Sequence, residues 1–373
     1  MEKMLRVNLA VKSRETLLII TDIPAVRNPG PMEAAGWEEL NRGAELMAEV
    51  GKEVAGEVRF CPYPSTGGSG IEPPLAVWRS ALGRAADDLQ EKGFLKSLPE
   101  KSIDKGSLGK VAGIVRRLSE EAADVVVSMT AYSTSHTRFR DLLTSRCGCR
   151  YASMPRFDMD MFFGPMDVDY TRMARRTRRL AGFLTEAREA RLRAPGTDIT
   201  FSLSGRVGMS DTGIMTRSGS FGNLPAGEAY IAPLEGTARG IFTPGLDPAV
   251  TGDRPSFSFR LQGGRVVEVR GPEDLAGPWR IRLAEHPDNA NLAELGIGTN
   301  DRASRPDNVL EAEKILGTVH LALGDSRSMG GRTAAPLHED FVIWNPTLEL
   351  SFPDGSRRRV DPSRLGGVRR RRS

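Results

Sequence analysis

Two rhythms of apolar residues divide this chain near residue 192. In the first half, short continuous apolar runs alternate with stretches of helical spacing. The runs at 17–21, 58–61 and 124–129 are bounded by polar or proline positions, as strands buried on both faces would be. Between them, residues 33–54, a segment after Pro74 and residues 107–121 carry apolar positions three and four apart. Trp37, Leu40, Ala44 and Met47 mark the first of these helices. A helix over 136–146 and a short strand at 150–153 follow. Strands alternating with helices need crossover connections, so a mostly parallel sheet is predicted, with any ligand near the carboxyl ends of its strands. No GxGxxG or P-loop pattern opens a helix, so a nucleotide-binding fold is not indicated.

A basic amphipathic helix, 170–191, is predicted next, with Met173, Thr177, Leu180 and Leu184 on one face. After Pro195-Gly196 the pattern becomes alternating, at 197–203, 256–261 and 265–269. Gly263-Gly264 reads as the turn of a hairpin between the last two. One helix is predicted over 306–316. The predicted fold class is therefore α/β. An N-terminal α/β domain (1–192) precedes a β-rich α+β metal-binding domain (193–356), and a basic tail (357–373) ends the chain.

Composition adds little to this picture. Hydrophobic residues are 39% and charged residues 27%, ordinary for a globular protein, and no apolar run is long enough to span a membrane. Charges break the first residues, so no secretory signal is expected. Three cysteines make no disulfide framework and fit a cytoplasmic location. Cys147-Gly-Cys149 is one residue short of CxxC and reads as a pair of ordinary thiols. The net charge of +4 reflects Arg357–Arg359 and Arg369–Arg372. With no aromatic residues interleaved, this run reads as a solvated tail and not as a nucleic-acid surface.

The residues able to do chemistry lie in the second half. His338-Glu-Asp340 puts positions i and i+2 on one face of an extended segment, where both can reach one ion. The apolar run Phe341–Trp344 would anchor that pair. His320 closes an amphipathic pattern from Leu310. By itself it suits a core imidazole as well as a ligand. Glu294 and Glu228 are acids in glycine-broken, apolar surroundings, and buried acids need a partner or a metal. Two glutamates, two histidines and an aspartate suit zinc, manganese or cobalt, and suffice for two ions sharing carboxylates.

The stretches GSFGNLPAGEAYIAP (219–233), NLAELGIGTN (291–300), EKILGTVHLALGD (313–325) and HEDFV (338–342) resemble, in order and rough spacing, the thermophilic aminopeptidase family. These are the aminopeptidase T and aminopeptidase S metallopeptidases. The resemblance implies Glu228, Glu294, His320, His338 and Asp340 as ligands of a pair of divalent ions. It also implies a homodimer and hydrolysis of N-terminal residues from peptides; an amidase acting on a small amide is a further form of the same metallohydrolase expectation. The chain departs from that family in having no tyrosine after Tyr230. Arg327 could supply positive charge at an oxyanion in its place. His136, just after the strand at 124–129, could contact substrate.

Two alternatives stay open. An iron-dependent ring-cleaving dioxygenase of the dihydroxypyridine type needs one iron on two histidines and a carboxylate, which His320, His338 and Asp340 could supply. Glu228 and Glu294 argue for the two-ion site instead. A degenerate relative that only binds a ligand is the other.

Overall fold

A computed structural model describes residues 1–24, 34–99, 103–245, 257–306 and 308–360. They form two compact units: Met1–Asp167 with Gly213–Pro225, and Val168–Thr212 with Ala226 onward.

The first unit is built on a parallel sheet of Thr16–Ile23 (β1), Glu57–Pro64 (β2), Val125–Met129 (β3), Arg150–Ser153 (β4) and Phe221–Asn223 (β8). Their order is β2-β1-β3-β4-β8. The predicted apolar runs are its central strands, and β3 is buried at every position. The strand expected over 58–61, closed by Pro62 and Pro64, takes in both prolines as β2. It lies at the sheet edge, where the missing proline N–H groups have no ladder partner to lose.

Leu75–Leu82 (α2), Arg84–Glu91 (α3), Lys105–Arg117 (α4) and Arg138–Leu142 (α5) supply Trp78, Leu89, Val115 and Phe139 to a core with Leu18, Ile20, Val126 and Tyr151. Ala34–Gly51 (α1) packs on the other face, where Gly51 abuts Leu17. Helices on both faces of a parallel sheet are what alternating strands and helices predict.

The second unit opens with Tyr170–Glu186 (α6), capped by Asp169 and burying the predicted face of Met173, Thr177, Leu180 and Leu184. The expected helix is too long. It stops at Ala187, and Glu189–Ala194 is a strand (β5), because Ala190 and Leu192 alternate into the core. β5 turns at Gly196 into Thr197–Ser202 (β6). Met209–Asp211 (β7) and Glu228–Ile231 (β9) follow, then Arg239–Phe242 (β10) and the predicted hairpin of Ser258–Gln262 (β11) and Arg265–Arg270 (β12). Glu273–Ala284 (α7) precedes Leu292–Gly298 (β13).

The predicted helix over 306–316 shrinks to Val309–Ala312 (α8), and the segment carrying His320 is a strand, Val319–Gly324 (β14). Its buried alternation of Val319, Leu321 and Leu323 outweighs the helical spacing before it. His338–Ile343 (β15), Thr347–Ser351 (β16) and Arg357–Val360 (β17) complete the unit.

These strands make two antiparallel sheets, β12-β11-β10-β6-β5-β16-β17 and β15-β14-β13-β9-β7. Ile199, Phe201, Phe259 and Leu348 from the first join Ile231, Leu295, Leu321 and Phe341 from the second in one core. The arginines at 357–359, expected in a solvated tail, begin an edge strand. Val360 is buried there, and Arg358 lies over the rings of Phe183 and Phe352. The remaining arginines, 369–372, fall outside the described residues. No helix among the described residues is long and apolar enough to cross a membrane.

Candidate metal centre

The five-stranded sheet of the second unit has one face on the core, and period-two alternation fixes what the other face carries. With Ala229, Ile231, Leu295, Ile297, Leu321 and Phe341 inward, Glu228, Glu294, His320, His338 and Asp340 must point outward. A bulge between Leu292 and Glu294 makes this possible on β13, since Leu292 and Leu295 then both reach the core while Glu294 faces out. The register places Glu294 beside Ala322 and Asp340, His320 beside Gly296, and Glu228 beside Gly298. All five sequence-predicted ligands thus share one face of four adjacent strands.

Glycine makes the room. A Cβ on Gly296 would lie 2.0 Å from His320 Nε2, so the imidazole lies across a backbone that tolerates no side chain. A Cβ on Gly298 would lie 2.1 Å from the Ile315 carbonyl oxygen. The glycines of the LGIG stretch are therefore packing requirements of the site.

The side chains stand close enough to one another to share a cation. His320 Nε2 stands 3.4 Å from Glu228 Oε2, 3.5 Å from Glu294 Oε1 and 4.0 Å from Asp340 Oδ1. His338 Nε2 stands 3.4 Å from Glu294 Oε2 and 3.7 Å from Asp340 Oδ1. Ligands bound to one tetrahedral ion at about 2.0–2.1 Å lie about 3.4 Å from one another. The buried oxygens Glu228 Oε2 and Asp340 Oδ1 accept no hydrogen bond. Leaving such acceptors unpaired costs several kcal/mol unless a cation compensates them.

His338 sharpens this test. Its Nδ1 is 2.8 Å from the Asp325 carbonyl oxygen, which can only accept, so Nδ1 carries a proton. In the neutral ring Nε2 is then a bare lone pair facing two carboxylate oxygens, an arrangement that needs a proton or a metal. Burial pushes the imidazolium down, but Asp340, Glu294 and the Asp325 carbonyl outweigh it and hold His338 at about 10. Burial likewise opposes charge on His320, and Glu294, Glu228 and Asp340 hold it at about 9. Burial raises Glu294, yet hydrogen bonds and charge from His320 and His338 bring it below the carboxylate range. The cluster demands positive charge at both Nε2 atoms, and the donor set fits a divalent ion.

Among the described residues, three groups of ligand atoms lie within 4.8 Å of one another: Glu228, Glu294 and His320; Glu294, His338 and Asp340; Glu313, His320 and Asp340. Each contains one imidazole. Glu294 joins the first two, its Oε1 toward His320 and its Oε2 toward His338.

Three further residues escaped the sequence reading. Glu313 and Lys314 are both buried, and Lys314 Nζ lies 2.6 Å from Glu228 Oε1 and 2.8 Å from Glu313 Oε1. Burial, added to Asp340 and Glu228, pushes Glu313 up to about 8, against the pull of Lys314 and His320. Burial opposes charge on Lys314, but Glu228, Glu313 and Asp211 keep its ammonium well above the lysine range. Asp211 stands opposite Glu228 in the ladder. The available signal was an acid–lysine pair seven and six residues before His320, inside the stretch 313–325 that carries that histidine.

The other predicted residues fall elsewhere. Arg327 is exposed and donates through Nε to Asp325 Oδ1 at 3.0 Å, on the loop whose carbonyl holds His338. His136 belongs to the first unit, between β3 and α5. His286, the remaining histidine and not a predicted site residue, accepts through Nδ1 from the Asp288 amide, a structural cap. Burial pushes the Cys147 thiol up to about 12 and also raises Cys149 well above the thiol range, so both are unreactive, and neither joins a metal-ligand group among the described residues.

No family model matches the chain, and no curated protein does. Solved structures do. The 2,5-dihydroxypyridine dioxygenase of Pseudomonas putida KT2440 is similar with a TM-score of 0.64 and 16% identity, over 93% of this chain and 91% of that one. Wild-type AmpT of Thermus thermophilus is similar with a TM-score of 0.54 and 14% identity, over 97% and 96%. At these identities the likeness is one of fold: the mixed α/β architecture is shared along nearly the whole length with both proteins.

Proposed function

We propose that this chain is a hydrolase dependent on two divalent ions, zinc, cobalt or manganese, acting on the N-terminal residue of peptides or on a small amide. The observation that carries this reading is the split of Glu294 between two imidazoles, Oε1 toward His320 and Oε2 toward His338. A carboxylate shared in this way, with one imidazole in each ligand group, suits two positions better than one. Glu228 and His320 would serve one ion, His338 and Asp340 the other, and Glu294 both. Divalent ions held there would supply Lewis-acid polarisation of an amide carbonyl and acidify a water. The chain's own contribution is orientation. Asp325 fixes the His338 tautomer, Gly296 admits the His320 ring, and the sheet holds all five ligands on rigid strands. Arg327, on the loop that follows β14, would contact substrate, and R327A is then expected to raise KM more than it lowers kcat.

Elemental analysis of the purified protein, paired with hydrolysis of aminoacyl anilides before and after chelation, tests the proposal. About two zinc, cobalt or manganese ions per chain and chelator-sensitive hydrolysis are expected. One iron per chain, with oxygen uptake on a hydroxylated pyridine, would replace this reading with the dioxygenase one. Hydrolysis that survives complete metal removal would sink both.

A further inference from the structure

Lys314 is the least expected group in the cluster. Its side chain is 1% exposed, on a segment fixed by backbone bonds from the Lys314 amide to the Glu311 carbonyl and from the Asn300 amide to the Lys314 carbonyl. A buried ammonium beside a cation site works against cation binding unless it does something specific there.

What it does is visible in how Glu228 is divided. Oε1 lies 2.6 Å from Lys314 Nζ, while Oε2 has no hydrogen-bond partner and lies 3.4 Å from His320 Nε2. Glu313, the second acid on the ammonium at 2.8 Å, anchors the lysine from the other side. Glu228 is flanked in sequence by Gly227, whose φ of 120° and close approach to Asn300 and Met173 leave the backbone little freedom to swing the carboxylate. Three carboxylates, Asp211, Glu228 and Glu313, act on the one ammonium and keep it charged despite its burial.

We infer that Lys314 is a positioning residue that reserves one oxygen of Glu228 for itself, so that Glu228 offers only Oε2 to a metal ion. A carboxylate free to use both oxygens would fill a coordination position that catalytic sites keep open. This inference rests on the divalent-metal reading of the cluster, and its test separates the two.

Full-length wild type, K314M, K314R and the double variant E313Q/K314M are loaded with Co²⁺ in place of the native metal. Bound cobalt is counted by elemental analysis, and the visible ligand-field spectrum is recorded per bound ion. The double variant removes the ammonium together with its anchoring acid, so Glu313 is not left buried without its partner. The expected result is unchanged stoichiometry with a severalfold drop in visible absorbance for K314M and E313Q/K314M, as Glu228 closes on the ion with both oxygens. K314R is expected to retain most of the wild-type intensity. A wild type that takes up no cobalt overturns the metal reading itself. A wild type that binds cobalt, with a folded K314M or E313Q/K314M of identical spectrum, overturns the role of Lys314 alone.

Discussion

Both units bury a cluster of polar side chains, and the clusters differ in one respect. In the first unit, at the carboxyl ends of β1 and β3, Asp22 accepts from the Ala131 amide at 2.7 Å and from the Ser65 hydroxyl. Ser128, Thr134 and Tyr151 form a hydroxyl chain with links of 2.8 Å. Donors and acceptors there are matched. One hydroxyl, Ser153 Oγ, lacks a partner, a far smaller cost than an unpaired carboxylate. In the second unit, Glu228, Glu294, Glu313 and Asp340 meet His320, His338 and Lys314 with acceptors in excess, and two carboxylate oxygens are left bare. Burial of polar groups therefore does not by itself mark a metal site. An unmatched surplus of acceptors around two imidazoles is what lets the second cluster offer ligands to a cation.

The comparison can be broken most severely at the bridging acid. E294Q is expected to weaken divalent-metal binding on the order of a hundredfold or more by titration calorimetry, because it removes charge from both positions. D22N in the first unit should leave that affinity unchanged. Equal losses in the two variants would erase the distinction drawn above.

G296A adds no charge and removes no ligand, yet its methyl would occupy the place of the His320 ring. A loss of about 10–100-fold in metal affinity is expected, comparable to disturbing a group that orients a ligand. Wild-type affinity for this variant would mean that His320 is not held as described.

A smaller effect concerns pH. His320 and His338, at about 9 and 10, titrate above the unfolded value of about 6.5. In the metal-free protein their stabilising contribution is thus complete below about 6.5 and fades as pH rises through 9 to 10. Urea midpoints measured in chelator should fall over that range. Metal must displace the same protons, so its affinity should climb with pH over the same interval. The hydroxyl chain supplies the smallest contrast. T134V should cost about 1 kcal/mol of stability in chemical denaturation and leave metal binding untouched.

Much of this architecture was legible in the sequence because its signals are local. Apolar runs between helices signalled the parallel sheet of the first unit, and Gly263-Gly264 the β11–β12 hairpin of the second. The spacing of His338 and Asp340 gave a shared face, which β15 realises. The errors share a cause too. The helix expected to reach Arg191 stops at Ala187, and the helical spacing before His320 ends in a strand. In both places, partners far along the chain supply the apolar surface that favours the strand. Glu313 and Lys314 were passed over because a charged pair ordinarily marks a solvated surface, and nothing adjacent to them announces burial.

The sequence by itself determined the kinds of ligand this protein can offer, and the alternation that sends them to one side of a strand. Those properties depend on side-chain chemistry and on a two-residue repeat. Only the tertiary structure decided that four strands stack those residues in register, that Glu294 faces two imidazoles at once, and that a buried lysine holds half of Glu228. These follow from pairings between residues up to 86 positions apart (Glu228 and Lys314) and from a single bulge, and no local pattern encodes either.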